Sequence, residues 1–358
     1  MMKYTLKNNE KDARERLKAF WAGDSMGRPA LHVVCDNPEY VKKLWNPVGM
    51  TQKEMDLSPR WYRYQASQQL SSTLFLAEAM PSTIINHGSH LAILALLAGS
   101  DYEYHNSAWI APLKDIYNHP LPNFDANHAL IGSLIDCING VAKEVGDKAF
   151  INPPSLLDGL TTLSLLRTQQ DLCIDLFDNR EDVKKWSNAL TTLYIECHRY
   201  FYEHVKSLGY GDMSAWLHVM ADGAFEAVQC DFGVMLSPEM FEQFAMPGLR
   251  RLTEYLDYSL YHLDGVGQMR FLDQLETLPK LNGIQWNPEI FTEAQTKWIE
   301  AFREIRRRGF ALYTHCNSVE EAVVITKELG PDGLMLVLPR FKSKDEADDA
   351  IKKIEAVC

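Results

Sequence analysis

Residues 258–285 read Y-S-L-Y-H-L-D-G-V-G-Q-M-R-F-L-D-Q-L-E-T-L-P-K-L-N-G-I-Q. An apolar, aromatic run leads into His262, Asp264 follows two residues on, and Gly265 breaks the pattern. Side chains two apart on a β-strand share a face, so a strand over 258–264 sets His262 and Asp264 pointing the same way at its end.

Downstream the same grammar repeats. A strand over 282–286 is followed by Thr292 and Gln295, a capping-box pair for a helix that Gly309 ends. A strand over 310–316 precedes a helix capped by Ser318 and Glu321 and stopped by Gly330-Pro331; a strand over 333–338 precedes a last helix capped by Ser343 and Glu346. Strand alternating with capped helix marks βαβ units and a parallel sheet. Upstream, strands are expected over 30–36, 82–86, 149–152 and 215–221, with a further β-rich run over 226–231. Helices are expected over 9–22, through a long region to about 80, and over 90–98, 126–145, 181–208 and 237–255; residues 99–125 read as an irregular segment. About eight strands alternate with helices and no G-x-G-x-x-G follows the first, so the expected fold is α/β, a single (β/α)8 barrel over 1–358 with a helical N-terminal extension over 1–28.

Composition sets the outer limits. The chain has 358 residues, 46% hydrophobic and 23% charged, with a net charge of −12, which gives no broad positive field for nucleic acid. Seven cysteines are scattered singly with no C-x-x-C pair, which argues for reduced thiols. No apolar run is long enough to span a bilayer, and the first residues have no apolar leader, so a cytoplasmic protein without membrane partners is expected.

In a barrel of this type the working site lies at the carboxyl ends of the strands. That filter selects Cys35 and Asp36, Asn86 and His87, Asn152, His218, Cys230 and Asp231, His262 and Asp264, Gln285 and Trp286, and His315 and Cys316. His262, Asp264 and Cys316 together offer imidazole, carboxylate and thiolate, the usual donors to a catalytic zinc with one open position. A second reading keeps His262 and Asp264 as an acid/base pair, with Asp231 as a further carboxylate. Trp216, His218, Gln285, Trp286, His315 and Asn152 are the candidates for holding a small polar substrate. The bland alternative for Trp216, Trp286 and Cys316 is packing.

Four stretches carry a family likeness: L-S-P-E-M-F-E-Q-F-A-M-P-G-L-R-R (236–251), Y-H-L-D-G (261–265), H-G-S-H-L-A-I-L-A-L-L-A-G-S (87–100) and G-P-D-G-L-M-L (330–336). On these the chain resembles the uroporphyrinogen decarboxylase superfamily, and within it the cobalamin-dependent methyltransferase-like branch more than the decarboxylase. The resemblance implies a (β/α)8 barrel. It also implies methyl transfer involving a corrinoid protein, which would carry methylcobalamin, or a small methylated substrate, with zinc at an H-x-C motif. Here that motif reads His262-Leu263-Asp264, and L-V-L-P-R-F (336–341) lacks the second cysteine of the pattern. The first strand leads into V-V-C-D-N-P-E-Y (33–40), acidic where the decarboxylase has arginines, which disfavours a substrate bearing many carboxylates. A metal-free lyase or decarboxylase using His262 and Asp264, and a non-catalytic binding protein on the same barrel, remain the alternatives.

Overall fold

A computed structural model describes residues 3–42, 44, 49–85, 92–105, 107–288, 290 and 292–358. The expected site residues Asn86 and His87, and the start of the 87–100 stretch, lie outside the described residues. The strands are β1 (Ala30–Asp36), β2 (Thr73–Ala77), β3 (Ser82–Ile84), β4 (Tyr102–Tyr104), β5 (Ala108–Ile110), β6 (Phe150–Asn152), β7 (Phe225–Val228), β8 (Tyr258–Asp264), β9 (Gly283–Asn287), β10 (Ala311–His315) and β11 (Leu334–Val337). Seven of them form one sheet in the order β2-β1-β11-β10-β9-β8-β7, parallel throughout except for β2. β3 and β6 pair in parallel as a second small sheet, and β4 with β5 makes a hairpin inside the expected irregular segment.

The architecture is mixed α/β and barrel-like, and among the described residues no ladder closes it. The junction between β6 and β7 is made by side chains instead. Asn152 Oδ1 accepts from the Ser214 backbone N–H (2.7 Å), its Nδ2 donates to Ser214 Oγ (3.0 Å) and Thr83 O (3.3 Å), and Ser155 Oγ donates to Glu226 (3.5 Å).

Two expectations are corrected. Residues 215–221 do not form a strand: the segment doubles back on itself, with Met213 paired to Ala221 and Ala215 at a φ of 49°, so the wall strand is β7 ten residues later. The helical region to about 80 is two helices, Gln52–Asp56 and Pro59–Ser71, and then β2. Thr73–Ala77 buries alternate residues, the period of a half-covered strand, and this outweighs any helical drift in the sequence. The capping box at Thr292 is not built either; the helix there opens as a 3-10 turn at Gln295 and becomes α-helical at Ile299, whereas Ser237, Ser318 and Ser343 each cap as expected.

The strands explain themselves by close packing. A Cβ on Gly283 would stand 2.3 Å from the Ala311 carbonyl oxygen, so glycine lets β9 and β10 approach. The main apolar core runs from Tyr4 to Ile354, uniting the strands with the helices around them. No helix among the described residues is long and apolar enough to cross a membrane.

Candidate active site

Register decides what meets at the strand ends. In the parallel ladder His262 of β8 lies beside Gln285 of β9, and Asp264 beside Asn287. Partners in register project to one face, so each pair is within bonding reach. Gln285 Nε2 donates to the Trp286 carbonyl (2.8 Å), which turns its Oε1 toward His262, where it bonds Nδ1. An amide oxygen only accepts, so Nδ1 carries the hydrogen and Nε2 is left with its lone pair free. Asn287 Nδ2 donates to Asp264 Oδ1 (2.6 Å). Gly265, at a φ of 80°, then turns the chain away from the site.

The β7–β8 register pairs Val228, the last residue of β7, with Tyr261; three residues further on stand Asp231, past the end of β7, and Asp264, the last residue of β8. Asp231 opens the 3-10 turn Asp231–Met235. One donor atom each from Asp231, His262 and Asp264 lies within 4.8 Å of the others, and all three residues are partly buried. Asp231 Oδ1 has no hydrogen-bond partner. Loss of hydration raises the Asp231 pKa to about 6; a proton on His262 would oppose the rise and the Asp264 carboxylate adds to it.

A second carboxyl stands behind. Asp158 caps the helix Gly159–Arg167 by accepting from Leu160 N and Thr161 N (both 3.0 Å), while its Oδ2 has no partner. Burial pushes its pKa up to about 7, and the charge of Asp231 adds to that. Phe232 N donates to Thr161 Oγ1 (3.3 Å), which ties the Asp231 turn to the same helix.

The sequence candidates divide clearly. Trp216 stands edge-on to the His262 ring (5.0 Å between centroids, 82°), and Gln285 orients that ring. His218 and His315 face each other across 6.1 Å. Trp286 is corrected: it alternates to the opposite face from Gln285, is fully buried, and packs against Trp298 and Phe302 at 5.4 Å each. Asn152 is corrected as well, since its amide is consumed by Ser214 and Thr83. Cys316 does not join the converging donors; Asp231 takes its place, and burial pushes the Cys316 thiol up, away from the thiolate form. At the first strand end, Cys35 is buried in the core and Asp36 is paired to Arg340 Nε (2.6 Å). Asn287, Asp158 and His32 were not singled out from the sequence. Only His32, a lone histidine in the apolar run A-L-H-V-V-C-D, carried a signal there.

No protein-family model matches the chain, and no curated protein matches it. Among solved structures it is similar to a methyltransferase from Methanosarcina mazei, with a TM-score of 0.59 at 14% identity, over 96% of this chain and 98% of that one. At that identity the likeness speaks for the fold.

Proposed function

We propose that this chain is an enzyme of methyl transfer on a (β/α)8 barrel, acting on a small-molecule substrate at the strand ends through Asp231, His262 and Asp264. The observation that carries the reading is the convergence of those three donors within 4.8 Å, with His262 and Asp264 held by Gln285 and Asn287. The fold neighbour, itself a methyltransferase, supports it.

The donor set fits a zinc ion. It holds one imidazole with a free Nε2, a carboxylate whose second oxygen is uncommitted, and a carboxylate oxygen with no partner. Two carboxylates in place of thiolates make the site harder than the H-x-C pattern but within the range of zinc ligands. Zinc would supply Lewis acidity that holds a thiol or water in its anionic form. The protein's own part is orientation: Gln285 fixes the imidazole tautomer, Asn287 fixes one carboxylate, and Trp216 walls the ring.

A corrinoid protein carrying methylcobalamin is the proposed partner. Val234 and Met235 follow Asp231, Val266 follows Asp264, and Ile290 follows β9; all four are exposed. Exposed apolar side chains following the strands that carry the site are surface of the kind a docking protein covers. Metal analysis with methyl transfer from methylcobalamin to a thiol tests the reading. About one zinc per chain, lost together with activity in the Asp231→Asn and His262→Gln variants, is expected. Less than about a tenth of an equivalent, with activity unmoved by chelation, would sink the metal.

One observation favours a metal-free alternative, a lyase or decarboxylase: a carboxyl with a pKa of about 6 is suited to general acid/base work near neutrality. In that reading Asp231 exchanges the proton and His262 and Asp264 orient the substrate. Activity persisting without zinc, with a pH profile inflecting near 6, is its signature.

A further inference from the structure

Among the described residues, three histidines with no acid facing their rings stand elsewhere on the same inner surface. His32 lies on β1 and His315 ends β10, and the ladders place both beside Val337 of β11, so the two imidazoles flank that strand on one face. His218 comes from the 213–221 segment. Its ring stacks on His32 with centroids 4.3 Å apart at 24°, and meets His315 edge-on at 6.1 Å. Its backbone N–H donates to the Tyr313 hydroxyl (3.3 Å), and the Tyr313 ring is 5.6 Å from His315. Lys7 stands behind the histidines, with its own acidic neighbours Glu78 and Glu10: its Nζ donates to the carbonyl of Ala77 (2.7 Å), the residue paired with His32 across β1 and β2.

His32 is 8% exposed and its Nδ1 has no hydrogen-bond partner, while His218 and His315 are open to solvent. The charged neighbours of His32 are His218, His315 and Lys7, all basic. Glu78 and Glu10 act on Lys7 rather than on the rings. Desolvation lowers all three imidazoles, His218 to about 4, and His315 lowers both His32 and His218 further. Basic groups gathered without a counter-charge are costly to protonate, and an anion placed among them removes that cost.

We infer that His32, His218 and His315 form a binding site for a carboxylate-bearing small molecule, whose carboxylate enters against His218 and His315 and draws one proton from solvent onto the imidazoles. A carboxylate is chosen over a phosphoryl group because the cluster holds no arginine fork and no helix start, the usual phosphate cradles. The inference rests on the proposed function only for the far end of the molecule, which would turn toward Asp231, His262 and Asp264. The substrate class is then a small acid whose reacting group lies away from its carboxylate.

Isothermal titration of the full chain at pH 7 with acetate, malonate and succinate tests this, with acetamide as the neutral control and inorganic phosphate as the rival anion. Repeating it in buffers of different protonation enthalpy counts the protons taken up. At least one carboxylate should bind about tenfold or more tighter than acetamide, with proton uptake, and His218→Gln with His315→Gln should remove that advantage. Both positions are open to solvent, and a matching thermal melt confirms that the variant folds; His315→Gln alone serves if the pair does not. Carboxylates no tighter than acetamide, or affinity unmoved by the glutamines, overturns the site. Phosphate binding tighter than every carboxylate overturns the assignment of class. Binding is read without turnover, so a failure of methyl transfer leaves this result standing, and the converse holds for zinc content.

Discussion

Two groups of buried carboxylates in this molecule are treated differently, one fully bonded and one left open. At the end where β1 begins, Arg28 donates to both oxygens of Glu78 (2.6 and 2.9 Å), and Glu78 also accepts from the Leu31 backbone N–H (2.8 Å). Nearby Arg14 forks onto Asp212 (2.9 and 2.7 Å), which accepts again from the Tyr4 hydroxyl (2.6 Å). These carboxylates are saturated. Where β7 and β8 finish, Asp231 Oδ1 and Asp158 Oδ2 are left without partners. A buried carboxylate oxygen without a partner costs stability, so two of them beside the converging donors mark where a ligand completes them, while the saturated carboxylates serve the fold.

The sharpest way to break that contrast is at Asp231 or His262. Replacing either by alanine is expected to reduce turnover by about 10²–10⁴-fold; Asp231→Ala should leave the thermal midpoint unchanged or raised, because it removes a buried carboxylate oxygen without a partner, whereas His262→Ala gives up the bond to Gln285. Steady-state kinetics beside a melting curve reads both, and a fall in stability with activity intact would reverse the roles given to the two ends. At the saturated end, Glu78→Gln takes from the buried Arg28 guanidinium its bidentate, buried partner and leaves it only the half-exposed Glu355 carboxylate at 3.0 Å. A loss of about 3–5 kcal/mol in denaturant unfolding is expected, with kcat per folded molecule preserved.

Gln285 tests how far orientation matters. Gln285→Leu removes the acceptor that holds His262 Nδ1–H, and metal affinity should weaken by about 10–100-fold with the fold intact. Competition against a zinc chelator measures it, and unchanged affinity would detach Gln285 from the site. A pH-gated effect of comparable size is set at Glu226, where burial raises the pKa to about 8. The folded state therefore prefers the protonated acid: stability is full below the ordinary carboxylate range and falls as pH rises toward 8, by about 1.4 kcal/mol for each unit in between. Glu226→Gln should flatten that decline in unfolding measured from pH 5 to 9; a decline of equal slope in the variant would place its origin elsewhere.

How much of this the sequence disclosed follows from which interactions are local. His262 and Asp264 were legible because strand period 2 and the following glycine are written within eight residues, and the helix starts at Ser237, Ser318 and Ser343 were legible because a cap is set by residues three apart. Asp231 could be nominated, but its arrival beside His262 depends on the β7–β8 register, which no local pattern encodes. Residues 215–221 misled because an apolar run of that length reads the same whether it forms a ladder or folds back beneath one. Cys316 and Trp286 were chosen for sitting at strand ends, and alternation turned Trp286 to the helix side.

The smallest test is the one that asks whether position near the site is enough to make a residue functional. Ser318 lies three residues beyond His315, and its Oγ accepts from Glu321 N (3.2 Å) at the start of the helix Val319–Leu329. Glu321 in turn accepts from the Asn317 N–H (2.9 Å), so both side chains are spent on the helix end and neither is left for a ligand. If the division between the ends turns on partnered against unpartnered atoms rather than on distance from the site, Ser318→Ala belongs with the saturated group. It should cost about 1 kcal/mol of stability, the usual loss for an N-cap, and leave KM and kcat where they are. A change in KM with stability unmoved would show that nearness itself matters, and the contrast would then have to be redrawn around His315.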